Sequence, residues 1–297
     1  MRALAQSPFI KAYGEPENHA QLLSVLREFK RINIEMIAVN GGDGTVRDVL
    51  TALRQVDPAW SPGLLIIPGG KTNLIARDVG AASWGVKGLL EILSAARKGT
   101  LGSNRSRRPI LEITRKGSAE PPICGMFFGI GAFVAGTELA RTQANKMGLY
   151  HSLAVLWTIA AMLIRALRGQ SFGESGNDVV ALSAGDAAPR IGRRFILVAT
   201  TLERLMLRLN PFWGPRAGAI RYTDIDAPPV RLSLALLPVL RGRPKAWMDA
   251  AGYRSGSANT MTLKLTSPFI VDGEAFDPGP EGEIELASRR IADFIRP

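Results

Sequence analysis

Residues 35–45, EMIAVNGGDGT, and residues 63–73, GLLIIPGGKTN, decide the fold of this chain. Each segment opens with a short apolar run, typical of a buried strand, and ends in a glycine-rich loop. Amphipathic helical patterns surround these two segments, at 19–30, 46–55, 74–78 and 86–97. Strand, loop and helix repeated in this order predict an α/β domain with an open, mostly parallel sheet and helices on both faces.

The pattern changes after about residue 105, where short apolar runs alternate with Gly, Pro and charged residues. Such runs predict a β-rich, sandwich-like second domain, interrupted by a helix at 150–168. The polar, basic stretch 100–108 is typical of a linker, so we expect domains over 1–105 and 106–297. The C-terminal tail can pack back on the first domain. The apolar runs lie at 110–114, 124–128, 179–183, 195–200, 230–236, 260–265 and 269–271.

The composition points to an anionic partner, because the formal charge is +11 and the pI is about 10.3. Nucleic acid, an anionic membrane and a phosphorylated ligand all satisfy that charge. The single cysteine, Cys124, excludes a disulfide framework and favours the cytoplasm. We expect no signal peptide, and the strongest apolar run, 153–164, is shorter than a bilayer span. That run predicts a buried helix, or alternatively a helix near a membrane or a lipid tail.

The loop Gly41-Gly42-Asp43-Gly44-Thr45 is a candidate phosphate site. Its glycines allow a ligand to approach the backbone closely, and the N–H groups of the following helix, expected to begin near Thr45, face the loop. Asp43 repels phosphate, so we interpret it as a magnesium or water ligand, or as a hydrogen-bond acceptor that orients another group. The alternative is an ordinary turn with a helix-capping Asp or Thr.

The second loop, 68–73, also follows a strand and precedes a helix. Two such loops in neighbouring units lie at the same end of a parallel sheet, which is where ligands of open α/β sheets bind. Lys71 can neutralise a phosphate, and Thr72 and Asn73 can bind nucleotide or cap the helix. The loop is not a Walker A motif, because Leu65 stands where that motif requires its first glycine.

A third segment, Val271-Asp272-Gly273-Glu274, closes an apolar run near the C-terminus. Asp-Gly is a strong turn signal, so a plain hairpin turn is the alternative to a functional site here.

Together the three segments resemble the diacylglycerol kinase catalytic-domain family, which includes soluble bacterial diacylglycerol kinases and sphingosine and ceramide kinases. The family pattern of the second loop and the helix after it is matched by Pro68, Gly70, Asn73, Ala76 and Arg77, and its Asp-Gly-Glu by residues 272–274. The resemblance looks continuous over about 34–97 and sparse beyond.

The resemblance implies a lipid kinase that transfers the γ-phosphate of ATP to a diacylglycerol or a sphingoid or ceramide-type lipid. The first domain would bind ATP and the second the lipid. Glu274 would be the general base, and Asp43 would be catalytic and belong to the magnesium-linked acidic network. The nucleotide-binding residues would be Gly41, Gly42, Asp43, Gly44, Thr45, Gly70, Lys71, Thr72 and Asn73.

Three basic clusters are candidates for contact with anionic headgroups of a membrane that the protein visits peripherally. They contain Arg105, Arg107 and Arg108; Arg190, Arg193 and Arg194; and Arg241, Arg243 and Lys245. Solvated surface is the alternative for each. We expect no nucleic-acid partner, since no helix-turn-helix, zinc or aromatic RNA-binding signature is present, and a homodimer is a further expectation.

The chain departs from the family pattern at several positions. Lys71 replaces a threonine, Leu111 stands where an acidic residue is expected, and Phe133 and Val134 where an aspartate is expected. The family's usual first strand and its nucleotide-contacting loop also have no counterpart before Phe9. A catalytically impaired lipid-binding or regulatory protein on the same fold is therefore the alternative function. A kinase acting on a soluble hydroxyl, such as that of a nicotinamide dinucleotide, is a third.

Overall fold

The computed structural model describes residues 10–70, 72–137, 179–185 and 188–297. Lys71, the helix predicted at 150–168 and the apolar run 153–164 lie outside these residues. The chain divides into two compact units. The first contains the residues up to Arg108 together with Ile291–Pro297, and the second extends from Pro109 to Arg290.

The first unit alternates helices and strands as its sequence pattern predicts. Its elements in chain order are α1 (His19–Arg31), β1 (Met36–Gly41), α2 (Asp43–Val56), β2 (Gly63–Pro68), α3 (Leu74–Val79) and α4 (Val86–Arg97). Apolar spacing buries one face of α2, including Val46, Val49, Leu50 and Leu53. α2 begins at Asp43, two residues earlier than the expected start near Thr45.

The sheet of the first unit is parallel. β1 pairs with β2 from Met36↔Gly63 to Gly41↔Pro68. The last strand, β13 (Glu283–Arg296), adds to the other edge of β2 through Phe294↔Leu64 and Ile295↔Leu65. Leu64, Leu65 and Phe294 are almost fully buried, as central strands of a parallel sheet require. The open parallel sheet expected from the sequence is confirmed.

The second unit is built from antiparallel strands, which confirms the β-rich second domain. One sheet follows the order β13-β10-β6-β7, and the other joins β7 to β5, β11 and β12 on one side and to β8 and β9 on the other. The remaining elements are β3 (Asn104–Arg115), β4 (Ile123–Gly125), β5 (Phe127–Gly131), β6 (Val179–Ala184), β7 (Arg190–Thr200), β8 (Ile220–Asp226), α5 (Leu232–Leu240), β9 (Tyr253–Ala258), β10 (Thr260–Lys264), β11 (Phe269–Val271) and β12 (Glu274–Phe276).

β7 belongs to both sheets of the second unit. Its residues 190–193 pair with β6, and its residues 194–200 pair with β8. The register shifts between Arg194 and Ile196, as at a β-bulge. A bulge bends a strand and increases its twist, so this position lets one strand turn the corner between two sheets.

One predicted element of the second unit is wrong. The apolar run 230–236 was expected as a strand, and the structure has the helix α5 there, over Leu232–Leu240. The sequence pattern also missed β8, β9, β12 and β13.

No helix in the described ranges combines the length and the apolar character that crossing a bilayer requires.

Candidate functional site

The two glycine-rich loops lie side by side, because they follow the paired ends of β1 and β2. The N–H of Gly69 donates to the carbonyl of Gly41 at 2.9 Å. A Cβ atom on Gly70 would lie 2.4 Å from the Cα of Gly42, and one on Gly42 would lie 2.9 Å from the Cα of Gly70. The loops therefore touch backbone to backbone, which only glycine permits at these two positions.

Asp43 joins the first loop to the helix that follows the second. Its Oδ2 accepts a hydrogen bond from the N–H of Leu74 at 2.9 Å, and its Oδ1 accepts one from the N–H of Ile75 at 2.8 Å. Burial raises the pKa of Asp43, while these two amides and the charge of Arg77 oppose that rise. Asp43 thus acts as the hydrogen-bond acceptor that orients another segment, one of the two roles open to it from the sequence.

Asn73 closes the second loop on itself. Its side-chain oxygen accepts from the N–H of Gly70 at 2.9 Å, and its amide donates to the carbonyl of Gly70 at 2.7 Å. Asn73 has a φ of 50°, in the left-handed region that asparagine tolerates better than most residues. It stands at the N-cap of α3 without capping that helix through its side chain. The capping role considered for Asn73 is thus filled by Asp43, 30 residues earlier in the chain.

The N-terminus of α2 presents backbone donors. The first intrahelical bond runs from the N–H of Val46 to the carbonyl of Gly42 at 3.1 Å, so the N–H groups of residues 43–45 have no partner within the helix. The space at Gly44 is open, since the nearest atom to a Cβ built there is a guanidinium nitrogen of Arg47 at 4.0 Å. Thr45 is exposed and Thr72 half-buried. These donors fit the phosphates of a nucleotide.

The same residues do not form a metal site by themselves. Within the part of the chain that the structure describes, no three His, Cys, Asp or Glu side chains come together to hold a metal ion. Asp43 is the one acidic residue of the two loops, and both its oxygens accept backbone hydrogen bonds. The magnesium role of Asp43 stays a prediction.

The Asp272-Gly273 pair forms the turn of a β-hairpin between β11 and β12, with Val271 paired to Glu274. Both turn residues have positive φ, 46° and 90°, as in a type I′ turn. Oδ2 of Asp272 accepts from the N–H of Met126 at 3.0 Å and Oδ1 from the N–H of Phe127 at 2.9 Å. The hairpin turn considered as the alternative from the sequence is therefore present, and these two hydrogen bonds attach it to the start of β5.

Glu274 is the first residue of β12, and its side chain is exposed. Its carboxylate forms no hydrogen bond or ion pair with any residue in the described ranges, so it is available to a substrate hydroxyl. Glu274 belongs to the second unit and the two glycine loops to the first. Its action on a ligand held by those loops stays a prediction.

The anchoring role of Asp272 was not anticipated. A Cβ on Gly125 would lie 2.6 Å from Oδ2 of Asp272, so the carboxylate reaches its two amides only past a residue without a side chain. The available signal was Gly125 within the apolar run 124–128, together with an Asp-Gly turn. The sequence distance of about 145 residues hides this pairing from local patterns.

Two of the three basic clusters are engaged in ion pairs. Arg108 is buried against Asp78 at 2.9 Å, and Arg194 is buried against Asp224 at 2.8 Å. Burial raises the pKa of Asp224, and the charges of Arg194 and Arg190 oppose that rise. Arg108 and Arg194 therefore pack within the fold and are not available to lipid headgroups. Arg241, Arg243 and Lys245 are exposed.

Comparison with known proteins identifies similar sequences. Residues 4–103 match the sequence profile of the diacylglycerol kinase catalytic domain. "Probable lipid kinase YegS" of Salmonella schwarzengrund (strain CVM19633) and that of Salmonella agona (strain SL483) are each 24% identical over 195 residues. The matched region is 63% of this chain and 59% of each relative, so the chain spans about three fifths of their length.

Solved structures share the architecture. A diacylglycerol kinase from Bacillus anthracis str. Sterne has a TM-score of 0.55 at 12% identity, covering 94% of this chain and 82% of its own. "A putative diacylglycerol kinase from Bacillus anthracis str. Sterne" has a TM-score of 0.59 at 17% identity, covering 95% and 84%. At such identities the likeness is one of fold. Residues 4–103, about a third of the chain, are thus similar to the diacylglycerol kinase catalytic domain, and the chain shares its fold with these solved structures.

Proposed function

We propose that this protein is an ATP-dependent lipid kinase that phosphorylates the hydroxyl of a diacylglycerol or of a sphingoid or ceramide-type lipid. The observation that carries the proposal is the pair of glycine loops held in contact at the carboxyl ends of β1 and β2, with open N–H donors beside them. Ligands of open α/β sheets bind at this end. The match of residues 4–103 to the diacylglycerol kinase catalytic domain supports the choice of ATP and of a lipid.

The proposed roles follow from the loop geometry. The N–H groups of residues 43–45 donate to phosphate oxygens, and Gly41, Gly42 and Gly70 let the two loops pack closely enough to form one site. Thr72 and Asn73 complete the nucleotide loop, with Lys71 as its proposed cation. ATP supplies the phosphoryl group. Magnesium is its proposed companion, and since the described residues form no site for it, no step is assigned to the metal.

Glu274 is the proposed general base. As the lipid oxygen forms its bond to phosphorus, a carboxylate positioned beside the hydroxyl accepts the departing proton, and the amide donors stabilise the negative charge on the phosphoryl oxygens. The side chain of Glu274 is exposed and unpaired among the described residues, which suits that task. Asp272 fixes the turn that precedes it through two amide hydrogen bonds.

One observation favours the second candidate function, a catalytically impaired lipid-binding or regulatory protein. Both oxygens of Asp43 are engaged by backbone amides, and the described residues hold no acidic cluster for a metal. In such a protein the loops would bind nucleotide or lipid without turnover.

The test is an ATP-dependent phosphorylation assay against a panel of lipids, with wild type, Glu274→Gln, Asp43→Ala and the matched control Glu281→Gln. Glu281 is another exposed glutamate of the second unit. We expect Glu274→Gln to lower kcat by about 10²–10⁴-fold without changing the free energy of unfolding. We expect Glu281→Gln to leave kcat unchanged. Lipid binding without turnover in the wild type would support the second candidate. Turnover indifferent to both Glu274→Gln and Asp43→Ala would defeat the proposed mechanism.

A further inference from the structure

The helix α5 exposes apolar side chains where a surface helix normally carries polar ones. Leu234 is 64% exposed and Leu237 is 53% exposed, one turn apart on the same face. Val230, just before the helix, is 49% exposed. Large apolar side chains exposed together on one helix face indicate an interaction surface.

The opposite face of α5 is fixed in the core of the second unit. Ala235 and Val239, four residues apart, are buried in a cluster that includes Phe195, Ile225 and Tyr253. The hydroxyl of Tyr253 donates to the carbonyl of Val230 at 2.8 Å, and burial raises the pKa of Tyr253 to about 12, so this donor keeps its proton near neutral pH. The exposed leucines therefore cannot turn inward without breaking that packing.

The surroundings of this face are cationic. Residues 227–247 contain no Asp or Glu and four cations, Arg231, Arg241, Arg243 and Lys245. The last three are exposed just after the C-terminus of α5. The guanidinium of Arg231 lies 5.8 Å from the ring centre of Trp247, a residue type that favours membrane interfaces. Apolar residues bordered by cations and by tryptophan are typical of a helix that lies in a membrane interface.

We propose that α5 and the segment after it, residues 230–247, form the surface that docks this protein on an anionic lipid bilayer. Leu234 and Leu237 enter the headgroup boundary, and Arg241, Arg243 and Lys245 contact lipid phosphates. This inference rests on the proposed function, whose acceptor lies in a bilayer, and it assigns to one surface a membrane contact that the sequence distributes over three clusters.

Charge favours an anionic bilayer over a second copy of the chain as the partner of the exposed face of α5. A two-fold interface through α5 would place the same patch of each copy against the other. The four cations of residues 227–247 would then face four identical cations, with no acidic residue in the segment to compensate them. An anionic bilayer instead offers opposite charge and an apolar interior at once.

The first experiment is flotation of the full chain with vesicles of phosphatidylcholine alone and of an equal mixture with phosphatidylglycerol. We expect binding to the mixed vesicles, with release by salt. Leu234→Gln combined with Leu237→Gln keeps helix propensity and should weaken binding about ten-fold or more. Neutralising Arg241, Arg243 and Lys245 to Gln should weaken it by about a hundred-fold. Trp84→Ser, which removes a 75% exposed tryptophan of the first unit, is the matched control.

A second experiment maps the contact directly. Cys124 is the only cysteine and is fully buried, so Leu234→Cys creates the one exposed thiol of the described residues. An environment-sensitive fluorophore on that thiol should shift to the blue with mixed vesicles, whereas the same label on Ser94→Cys, at an exposed position of α4, should not.

The inference is overturned by equal binding to both vesicle types, by equal losses in Trp84→Ser and in the α5 variants, or by equal label shifts at positions 94 and 234. A shift at 234 that depends on protein concentration without vesicles would assign the surface to self-association and also overturn it.

Vesicle binding does not depend on turnover. Failure of docking with intact phosphorylation of detergent-dispersed lipid contradicts this inference alone, and docking without phosphorylation contradicts the proposed kinase activity alone.

Discussion

Asp43 and Asp272 each direct both carboxylate oxygens at two consecutive backbone N–H groups of a distant segment. Asp43 holds Leu74 and Ile75, and Asp272 holds Met126 and Phe127. Hydrogen bonds to an ionised acceptor are stronger than neutral ones. In both cases the carboxylate fixes the backbone from which neighbouring groups are presented.

The anchoring role of Asp272 predicts the effect of Asp272→Asn. The amide keeps the shape of the carboxylate and replaces one acceptor with a donor that faces a backbone N–H, so we expect a loss of about 1–3 kcal/mol in the free energy of unfolding. Because the hairpin carries Glu274, kcat should also fall. Urea unfolding and the lipid assay measure the two effects. Asp277→Asn is the control, since the N–H bond that Asp277 accepts from Gly279 also suits an asparagine. Equal stability of both variants would contradict the anchoring role.

The raised pKa of Asp43 predicts a pH dependence of stability. A carboxyl group whose pKa is higher in the folded protein than in the unfolded chain binds its proton more tightly when folded. Its contribution to the free energy of unfolding therefore falls as pH rises from the ordinary aspartate pKa through the raised pKa. Urea unfolding of wild type and of Asp43→Asn across this range isolates the effect, since asparagine does not titrate. If the free energy of unfolding of the wild type instead rises with pH relative to that of Asp43→Asn, the two amide bonds outweigh burial.

At the scale of the element, substitutions at two loop glycines distinguish the packing of the loops from ligand binding. Gly70→Ala brings a Cβ to 2.4 Å from the backbone of Gly42, so it should cost about 1–3 kcal/mol of stability and weaken ATP binding. Gly44→Ala meets open space within a helix and should raise stability by about 0.5–1 kcal/mol. If phosphates bind the N–H groups of residues 43–45, that new methyl group also obstructs them. Thermal unfolding and nucleotide titration separate the two glycines, and unimpaired ATP binding by Gly44→Ala would place the phosphates elsewhere.

The success and the failure of sequence reasoning have physical causes that differ between the elements. β1 and β2 are central parallel strands, so their apolar runs are continuous and visible in the sequence. The run 230–236 alternates apolar and other residues, as in a strand, yet it forms α5, because packing of Ala235 and Val239 against the core overrides a local pattern. β13 escaped notice because Ser288, Arg289 and Arg290 interrupt its apolar positions.

In the candidate site, too, local features were predictable from the sequence and long-range contacts were not. The motifs identified both loops and the Asp-Gly turn, because loop glycines and the residues beside them are local in the sequence. The partners of Asp43 and Asp272 depend on contacts across 31 and 146 residues, which no local pattern encodes.

At the scale of the whole molecule, the chain enters the second unit after Arg108 and returns to the first at Ile291. The returning residues complete the first unit. Phe294 and Ile295 pair with β2, and the guanidinium of Arg296 donates to the carbonyl of Val79 at 2.8 Å and to Ser106 at 3.1 Å. A first unit without this strand would expose the edge of β2 and the apolar residues that Phe294 covers.

This connectivity predicts that residues 1–108 alone will not fold stably, whereas the same residues joined by a flexible linker to Ile291–Pro297 will. Burial of Phe294 and Ile295 favours the linked form by about 3–6 kcal/mol, at 1.5–3 kcal/mol for each fully buried side chain. Circular dichroism and urea unfolding of the two fragments measure the difference. Replacing Phe294 and Ile295 by serine in the linked fragment is the control, since it keeps the length of the tail and removes its apolar contacts. A cooperative transition in residues 1–108 equal to that of the linked fragment would show that the returning strand is dispensable to the first unit.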